Sequence, residues 1–558
     1  MTTDAQPSSD ETLASNETAR SRRVWFPWVW MGLIVGAYLL FQLSGPDQDV
    51  KNFFRIIAVL LGLLGLSAWC LLGSGFSRPM RWGVGLAPWV LGLVFFSQVE
   101  LINNGDVGVV GWRWRWAPKP DETLQLPDAV SASEEPPAIR DWQTTPRDYP
   151  RFLGNGYWAE VRDVRLETDW RTHPPRELWR RKIGAGWSGF SIVGDYAVTQ
   201  EQRGPNELVT CYNLHTGDIV WTHADPVRFD PRGSGALGGV GPRATPTIHD
   251  AKVITQGATG VVNCLDARTG KVIWSHDTLA ENQASNLLWG KSGSPLVVVR
   301  ENGDDMVVVS VGGAAGRSLV AYHLDTGQVL WSAGHRRSSY ASPVLTRLVG
   351  EPQILSINED YITSYRIDDG AVLWEHPWPG DSNANASIPQ PIPLAGDRVF
   401  LSKGYGVGAS LLQIKRDEQG AFHVRPLWKP AIRPVMKTKM GNDVVRDGFV
   451  YGLDGGILQC LELETGKSRW KKRRHPAIGH GQIMLVGDMI LILSESGELV
   501  LVEASPKKYR ELARMQVLDE SEVTWNNPAF SPPYLLVRNA QEAACYELPL
   551  VDRTSPRL

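Results

Sequence analysis

The chain has 558 residues, and its 57 Lys and Arg against 60 Asp and Glu give a formal net charge of −3, which offers no reason to expect nucleic-acid binding. Its 55 Gly and 37 Pro indicate many turns, and its length exceeds what one ordinary core needs unless the chain is built from repeats. The five cysteines contain no C-x-x-C pair, so cysteine usage does not indicate a redox compartment.

The N-terminal part has the composition of a membrane anchor. Residues 1–23 are polar and end in an arginine cluster, which predicts a disordered cytoplasmic tail. Three apolar runs follow, and we predict transmembrane helices over 24–44, 53–76 and 82–102. The third run is the weakest, because Gln98 and Glu100 lie near its end.

The number of spans decides on which side of the membrane the remaining chain lies. Two spans would leave it in the cytoplasm, and the cations Arg113, Arg115 and Lys119 favour that topology. Three spans would place it outside, and the uncharged stretch from Trp82 to Ser97 favours three. We favour three spans, which predicts a multi-pass protein of the cytoplasmic (inner) membrane with an extracytoplasmic or periplasmic C-terminal domain.

The segment after the apolar runs, residues 103–177, is predicted to be a juxtamembrane segment and linker. Residues 112–116 read Trp-Arg-Trp-Arg-Trp, which fits two interpretations. The alternation either sits at the lipid headgroups or forms a short strand or packing segment against the C-terminal domain. Residues 117–150 are rich in Pro, Glu, Asp and Ser, as linkers are.

From about residue 178 one pattern recurs along the chain. A β-type run ends in a Thr-Gly or similar turn, and a Trp follows four residues after the Gly. This pattern predicts a hairpin in which the Gly tolerates a positive φ and the Trp packs between neighbouring sheets. The clearest copies are LVTCYNLHTGDIVW (208–221), VVNCLDARTGKVIW (261–274), LVAYHLDTGQVLW (319–331), ITSYRIDDGAVLW (362–374) and ILQCLELETGKSRW (457–470).

The spacing of the copies predicts eight blades. The closing tryptophans are Trp179, Trp221, Trp274, Trp331, Trp374, Trp428 and Trp470. The 88 residues after the last of these accommodate two further blades, with strands around 483–493, 498–503, 534–538 and 543–548. The Trp179 strand precedes the first complete blade, so it should complete the last one and remove both free edges. We predict an all-β, eight-bladed β-propeller over 178–550, followed by a tail over 551–558.

Two residue types recur at fixed positions of the repeat. Four cysteines occupy equivalent positions in separate blades and are predicted to be small core residues rather than disulfide partners: Cys211, Cys264, Cys460 and Cys545. Three histidines each follow a closing Trp by two residues and are predicted to be a strand-end feature rather than a metal site: His223, His276 and His376.

The TGxxxW hairpins at this spacing resemble PQQ-like propeller repeat proteins. That group includes quinoprotein alcohol dehydrogenases and the propeller lipoprotein of the outer-membrane β-barrel assembly machinery. The resemblance covers about 178–550 and implies the fold without specifying an activity, since one fold hosts several functions. The segments GWSGF (186–190), TQEQRG (199–204), GPRATP (241–246) and WNNP (525–528) resemble membrane-anchored PQQ-repeat proteins of uncharacterised function.

A candidate site follows from the fold, because the segments that precede the innermost strands of a propeller converge at one mouth of its channel. They bring together cations, amides, hydroxyls and aromatic rings, which would suit an anionic or polar planar ligand. The alternative is that these side chains only cap and hydrate the channel mouth. The candidate cofactor- or ligand-binding residues are Trp187, Ser188, Arg243, Thr245, Trp289, Lys291, Tyr340, Lys437, His480, Trp525 and Asn526.

Glu201 is a carboxylate that we predict near this face. Glu201 and Arg203 are predicted to lie in a loop that departs from the repeat, either at the site or as a surface ion pair.

The resemblance leaves two function classes open. It implies that a quinoprotein dehydrogenase would bind PQQ with Ca²⁺ and use a carboxylate base to oxidise alcohol groups. Calcium takes six to eight oxygen ligands, yet the converging segments hold almost no carboxylates, with Asp443 and Glu522 only at their edges. We therefore favour a non-enzymatic scaffold that binds envelope proteins or peptides, in envelope or outer-membrane protein assembly. PQQ stays an alternative cofactor, and we predict neither a metal site nor a nucleic-acid partner.

Overall fold

The structure is a computed structural model, and it divides into two compact units, Met1–Ala117 and Pro118–Leu558. The residues that it describes are 25–43, 48–103, 109–124, 142–156, 158–234, 238–301, 303–313, 316–379, 386–428, 433–520 and 522–551. The predicted tails over 1–23 and 551–558 therefore lie outside this description, apart from Val551.

The first unit contains three apolar helices. They are α1 (Phe26–Leu43), α2 (Gln48–Ala68), which continues as a π-helical turn to Gly73, and α3 (Arg78–Gln98). Among the described residues, two stretches are long and apolar enough to cross a bilayer: Phe53–Gly73, with a mean hydropathy of 2.4, and Arg78–Gln98, with 1.3. The apolar part of α1, Phe26–Phe41, is shorter. Two or three helices therefore precede the C-terminal unit, as predicted.

The third apolar run does not continue as a helix to residue 102. The chain turns into β1 (Val99–Asn103), which pairs antiparallel with β2 (Val109–Trp114). Arg113 forms an ion pair with Glu100 at 3.0 Å across this hairpin. The rings of Trp114 and Trp116 stack with centroids 4.6 Å apart. The alternating Trp-Arg segment thus contributes to a short strand, which pairs with β1.

The second unit is an eight-bladed propeller whose blades are four-stranded antiparallel sheets. A short helix, α4 (Pro120–Thr123), and two strands, β3 (Glu160–Val161) and β4 (Arg176–Lys182), precede the first blade in the described chain. Blade 1 consists of β5 (Ser191–Val193), β6 (Tyr196–Arg203), β7 (Asn206–Asn213) and β8 (Ile219–Asp225). Blade 2 consists of β9 (Thr247–His249), β10 (Lys252–Gln256), β11 (Val261–Asp266) and β12 (Val272–Asp277). Blade 3 consists of β13 (Leu296–Val298), β14 (Met306–Gly313), β15 (Arg317–His323) and β16 (Val329–Ala333).

The remaining blades follow the same order. Blade 4 consists of β17 (Val344–Leu348), β18 (Glu351–Ile357), β19 (Tyr361–Arg366) and β20 (Val372–Pro377). Blade 5 consists of β21 (Ile392–Leu394), β22 (Arg398–Lys403), β23 (Gly408–Arg416) and β24 (Phe422–Trp428). Blade 6 consists of β25 (Val444–Arg446), β26 (Phe449–Asp454), β27 (Ile457–Glu462) and β28 (Ser468–Lys471). Blade 7 consists of β29 (Gln482–Val486), β30 (Met489–Leu493), β31 (Glu498–Glu503) and β32 (Glu511–Gln516), and blade 8 of β33 (Ala529–Ser531), β34 (Tyr534–Arg538), β35 (Glu542–Glu547) and the early strand β4.

The ring closes as predicted, because an early strand of the propeller completes its last blade. Strand β4 pairs antiparallel with β35, with Trp179 opposite Cys545. Arg180 adds an ion pair to Glu542 at 2.8 Å across the same two strands. The last blade is therefore completed by a strand that precedes the first, which removes the free edge at the junction.

The repeated Trp and Gly explain how one blade packs on the next. Trp221 of blade 1 donates its indole N–H to the carbonyl of Ala267 in blade 2 at 2.8 Å. Its ring lies on Gly270, whose φ is +69° and where a Cβ would come within 2.5 Å of the ring. Trp179, Trp274, Trp331, Trp428 and Trp470 make the same type of bond to the turn of the following blade.

Trp374 is the exception, and its sequence context explains why. The hairpin of blade 5 turns through 417–421 without a Thr-Gly pair. Trp374 instead donates to the side-chain oxygen of Gln353 in its own blade at 2.8 Å. The prediction that the Trp rings are buried is confirmed for Trp221, Trp274 and Trp374. The four repeat cysteines are likewise buried and free, as predicted.

An N-terminal strap, which we define as residues 142–166, packs against the innermost strands. Tyr149 exchanges two backbone hydrogen bonds with Ile192 in blade 1, and Pro150 accepts from the N–H of Ile248 in blade 2. Strand β3 adds in parallel to β29 of blade 7. The sequence assigned this segment to a linker because Pro, Asp and Glu are frequent in it, yet Trp142 is fully buried. The strap contacts blades from both ends of the chain order, so it ties the ring together.

Candidate functional site

The eight segments that precede the innermost strands are joined into a closed ring by hydrogen bonds, which we call the polar belt. In blades 1 to 4, the hydroxyls of Thr245, Ser294 and Ser342 each accept the backbone N–H of the preceding blade at 2.9–3.1 Å. The remaining bonds involve amide side chains. The Gln390 amide donates to Ser342 in blade 4, and the backbone N–H of Gln390 donates to the side-chain oxygen of Asn442 in blade 6. The Gln482 amide donates to carbonyls of blades 6 and 8, and the Asn526 amide donates to blade 1.

The belt gives three of the predicted binding residues a role within the fold. Thr245 bonds to Gly189, and the amide of Asn526 donates to the carbonyl of Ser188 at 2.9 Å. Ser188 and Asn526 are both fully buried. The Thr245 hydroxyl, the Asn526 amide nitrogen and the Ser188 carbonyl therefore take part in bonds that hold neighbouring blades together.

Two tryptophans from opposite ends of the chain meet where blade 8 adjoins blade 1. The ring centroids of Trp187 and Trp525 lie 5.1 Å apart, with the planes tilted by 37°. The indole N–H of Trp525 donates to a carboxylate oxygen of Glu495 at 2.9 Å. The other oxygen of Glu495 accepts the backbone N–H of His480 at 3.4 Å. Glu495 is half-buried and links the predicted residues His480 and Trp525, but no repeat position marked it in the sequence.

A second aromatic pair lies on blades 3 and 4. The rings of Trp289 and Tyr340 are 5.7 Å apart, and the backbone N–H of Trp289 approaches the Tyr340 hydroxyl at 3.4 Å. Burial raises the pKa of Tyr340 to about 12, so the hydroxyl stays protonated at neutral pH.

The predicted cations are bound to groups of the protein. The guanidinium of Arg243 donates to the carbonyls of Gly239 and Gly241 and lies 4.6 Å from the ring centroid of Phe229. Burial lowers the pKa of Arg243 to about 10. The ammonium of Lys437 lies 3.9 Å from a carboxylate oxygen of Asp454. These contacts leave the two cations less free to receive an anion than the sequence suggested.

Lys291 is the most deeply buried cation of the predicted set. It is 2% exposed, and its ammonium donates to the carbonyl of Val311 and to the hydroxyl of Ser338 at 2.8 Å. Burial lowers the pKa of Lys291 to about 7, because no carboxylate of the described chain forms an ion pair with it. Its charged form is therefore disfavoured in the folded protein.

This burial predicts an unusual dependence of stability on pH. An unfolded lysine holds its proton to a pH of about 10.4, whereas the folded Lys291 loses it near 7. The unfolded state binds more protons between these values, so the free energy of unfolding should rise as the pH increases from 7 to 10. We expect Lys291→Met to reduce this rise, measured by urea unfolding at several pH values. The exposed lysine variant Lys271→Met is the control, and an equal slope in Lys291→Met and the wild type would contradict the prediction.

Glu201 and Arg203 are not in a loop and do not form a surface ion pair. Both lie in β6 and are buried, and they are joined at 3.1 Å. Glu201 also accepts hydrogen bonds from the hydroxyls of Thr210 at 2.6 Å and Tyr212 at 2.9 Å. Burial by itself raises the pKa of Glu201, but Arg203 and these donors outweigh it and hold the pKa below its usual value. The sequence missed this network because β6 extends further than the repeat pattern indicates.

The arrangement fits PQQ with calcium poorly. The cations that could pair with the carboxylates of the cofactor are engaged as described, and Trp187 packs on Trp525 without space for a planar ring between them. Asp443 is buried, bonds to Ser402 and Thr438, and has its pKa raised to about 7 by burial. Within the part of the chain that the structure describes, no three His, Cys, Asp or Glu side chains are grouped to hold a metal ion.

Comparison with known proteins confirms the predicted resemblance to PQQ-like propeller repeat proteins. The family model described as outer membrane protein assembly factor BamB matches residues 205–472. The outer membrane protein assembly factor BamB of Yersinia pestis is 26% identical over 290 residues, which are 48% of this chain and 67% of that protein. The BamB of Burkholderia pseudomallei (strain K96243) is 26% identical over 222 residues, 39% of this chain and 50% of that protein.

Dehydrogenases share the same repeats. The quinohemoprotein alcohol dehydrogenase ADH-IIG of Pseudomonas putida is 30% identical over 152 residues, 25% of this chain and only 20% of that protein. Among solved structures, a europium-containing methanol dehydrogenase covers 74% of this chain and 100% of its own, with a TM-score of 0.53 and 13% identity. At this identity, the likeness shows the fold alone.

Proposed function

We propose that the chain is a membrane-anchored scaffold of the cell envelope, which binds envelope proteins or peptides, in envelope or outer-membrane protein assembly. The observation that carries this proposal is a row of exposed apolar side chains on the outermost strands. Val272 and Ile273 in blade 2 and Val329 and Leu330 in blade 3 are 36–50% exposed. Outermost strands have unpaired backbone groups, so an apolar outer edge suits the addition of a partner strand. The likeness to assembly factors supports the same function class.

The scaffold proposal predicts which substitutions abolish partner binding. We expect Ile273→Glu with Leu330→Glu to reduce the recovered partner at least tenfold in a cross-linking pull-down of the full chain from gently solubilised membranes. Lys271→Glu with Gln328→Glu is the matched control, because these exposed polar residues flank the same strands. Circular dichroism of both variants checks the fold. Equal recovery from both, or a chain recovered alone from the wild type, would contradict the proposal.

The membrane anchor is a proposal with a test of its own. We propose a multi-pass protein of the inner membrane with a periplasmic propeller, in which the shorter apolar helix Phe26–Phe41 crosses the membrane together with the candidate spans Phe53–Gly73 and Arg78–Gln98. A reporter fused after Leu558 leaves the strap intact, whereas one inserted near residue 150 would break the contacts of Tyr149. Activity of a reporter that functions only after export supports the proposal. Activity of a reporter that functions only in the cytoplasm would refute the three-span topology.

The alternative is a PQQ-dependent quinoprotein dehydrogenase that oxidises alcohol groups, and the likeness to the Pseudomonas putida enzyme supports it. PQQ and Ca²⁺ added to the purified chain should then give a quinone absorbance band and alcohol-dependent dye reduction. The scaffold proposal expects neither signal.

A further inference from the structure

We propose that the outer edge of blades 6 and 7 binds anionic phospholipid headgroups. This surface, the basic rim, consists of six exposed cations: Lys467, Arg469, Lys472, Arg473, Lys507 and Lys508. The proposal rests on the membrane anchorage proposed above and adds a second contact between the chain and the bilayer. The chain carries a formal net charge of only −3, so this concentration of cations is local.

Two contacts of Trp470 bring the cations of the two blades together. Its indole N–H donates to the carbonyl of Ser505 at 2.9 Å. Its ring centroid lies 5.9 Å from that of Tyr509. Ser505 and Tyr509 flank Lys507 and Lys508, so the turn that carries these lysines packs against the strand that carries Arg469.

Three carboxylates of blades 6 and 7 form ion pairs with cations outside the rim. The side chain of Arg474 is 5% exposed and forms ion pairs with Glu498 at 2.7 Å and Glu511 at 2.8 Å. Lys471 forms an ion pair with Asp454 at 2.7 Å. Among the described residues, none forms an ion pair with any of four rim lysines: Lys467, Lys472, Lys507 and Lys508. These four lysines therefore present to the solvent positive charge that no ion pair of the described chain neutralises.

A lipid surface fits this combination better than a polypeptide or a nucleic acid. Trp470 and Tyr509 are both half-buried among the lysines, and such amphipathic rings favour the headgroup level. Anionic headgroups form a continuous sheet of negative charge, which can neutralise six cations without a matched spacing. Each lysine near an anionic bilayer raises the ratio of bound to unbound surface by about fivefold. The described chain contains two helices that could cross a bilayer, so the proposed anchor would tether the propeller to a lipid surface.

The test places a fluorophore on the rim of the full chain in vesicles. All five cysteines are free and buried, so Ser468→Cys offers a selective labelling position between Lys467 and Arg469. The label is read through quenching by lipids brominated near the headgroup. We expect quenching in phosphatidylglycerol–phosphatidylcholine vesicles to exceed that in phosphatidylcholine alone and to be lost at high salt.

Charge reversal separates the rim from the anchor. Lys507→Glu with Lys508→Glu should lower the bound-to-unbound ratio more than about twentyfold, while Lys271→Glu with Lys415→Glu, equally exposed, should leave it unchanged. Flotation of the chain with both vesicle types reports the anchor alone. Flotation with both vesicle types, together with quenching that does not depend on lipid charge, would overturn the rim proposal and leave the anchor standing. A change in label fluorescence that added nucleic acid or an acidic polypeptide causes, and that anionic vesicles do not, would also overturn it.

Discussion

Replacing Trp221 with alanine is expected to lower the free energy of unfolding by about 3–5 kcal/mol, which is typical of a buried Trp. The ring lies between blades 1 and 2, and its indole N–H bonds to Ala267 at 2.8 Å. Its loss would leave both a cavity and an unpaired carbonyl. Urea unfolding of the variant measures the effect.

Two further variants distinguish the packing of Trp221 between blades 1 and 2 from a general loss of apolar surface. Ile273→Ala removes an apolar side chain that is 43% exposed, and we expect a change within about 0.5 kcal/mol. Gly270→Ala should be destabilising although it adds a methyl group, because the backbone has a φ of +69° and the Cβ would meet Trp221. A stable Trp221→Ala protein would show that blades do not depend on the Trp-Gly contact.

Replacing Glu201 with glutamine is expected to destabilise the propeller by about 3–5 kcal/mol, although the two side chains have nearly the same shape. The substitution removes the charge of Glu201 from beside two buried cations, Arg203 and Arg538. Because the carboxylate has a lowered pKa, its contribution to stability is present above the unfolded value of about 4.3 and is lost as the pH falls below it.

A double-mutant cycle tests this account of Glu201. In Glu201→Gln with Arg203→Met, the second substitution removes a cation that the first left unpaired, so the combined effect should be smaller than the sum of the two single effects. We also expect Glu201→Gln to lose less stability than the wild type between pH 5 and pH 3, since its side chain does not titrate. Strictly additive effects would show that the pair at 3.1 Å does not couple energetically.

The scaffold and lipid proposals assign different parts of the outer edge to different partners. Blades 2 and 3 expose Ile273 and Leu330 immediately before the closing Trp, where blade 6 has Arg469. The same position of the repeat is therefore apolar in one arc and cationic in another. The repeat keeps the packing Trp directly after this position and the turn Gly three residues before it, so the exposed residue between them is free to differ in its binding chemistry.

The sequence alone determined the propeller, its eight blades and the closure by the Trp179 strand. These features follow from local hairpins, because the Gly that permits the turn and the Trp that packs on it recur at one spacing. The burial of the repeat cysteines followed in the same way, since a position repeated in every blade faces the same environment in each.

Only the tertiary structure decided which candidate site residues are bound to the protein itself. Asn526 and Ser188 are 338 residues apart, and Lys291 and Ser338 are 47 apart, so no local pattern reveals these bonds. The burial of Glu201 and the packing of the strap depended equally on distant partners. The partners of a hydrogen bond between blades depend on which two segments the closed ring brings together. A local sequence pattern does not contain this information, because the two segments are distant along the chain.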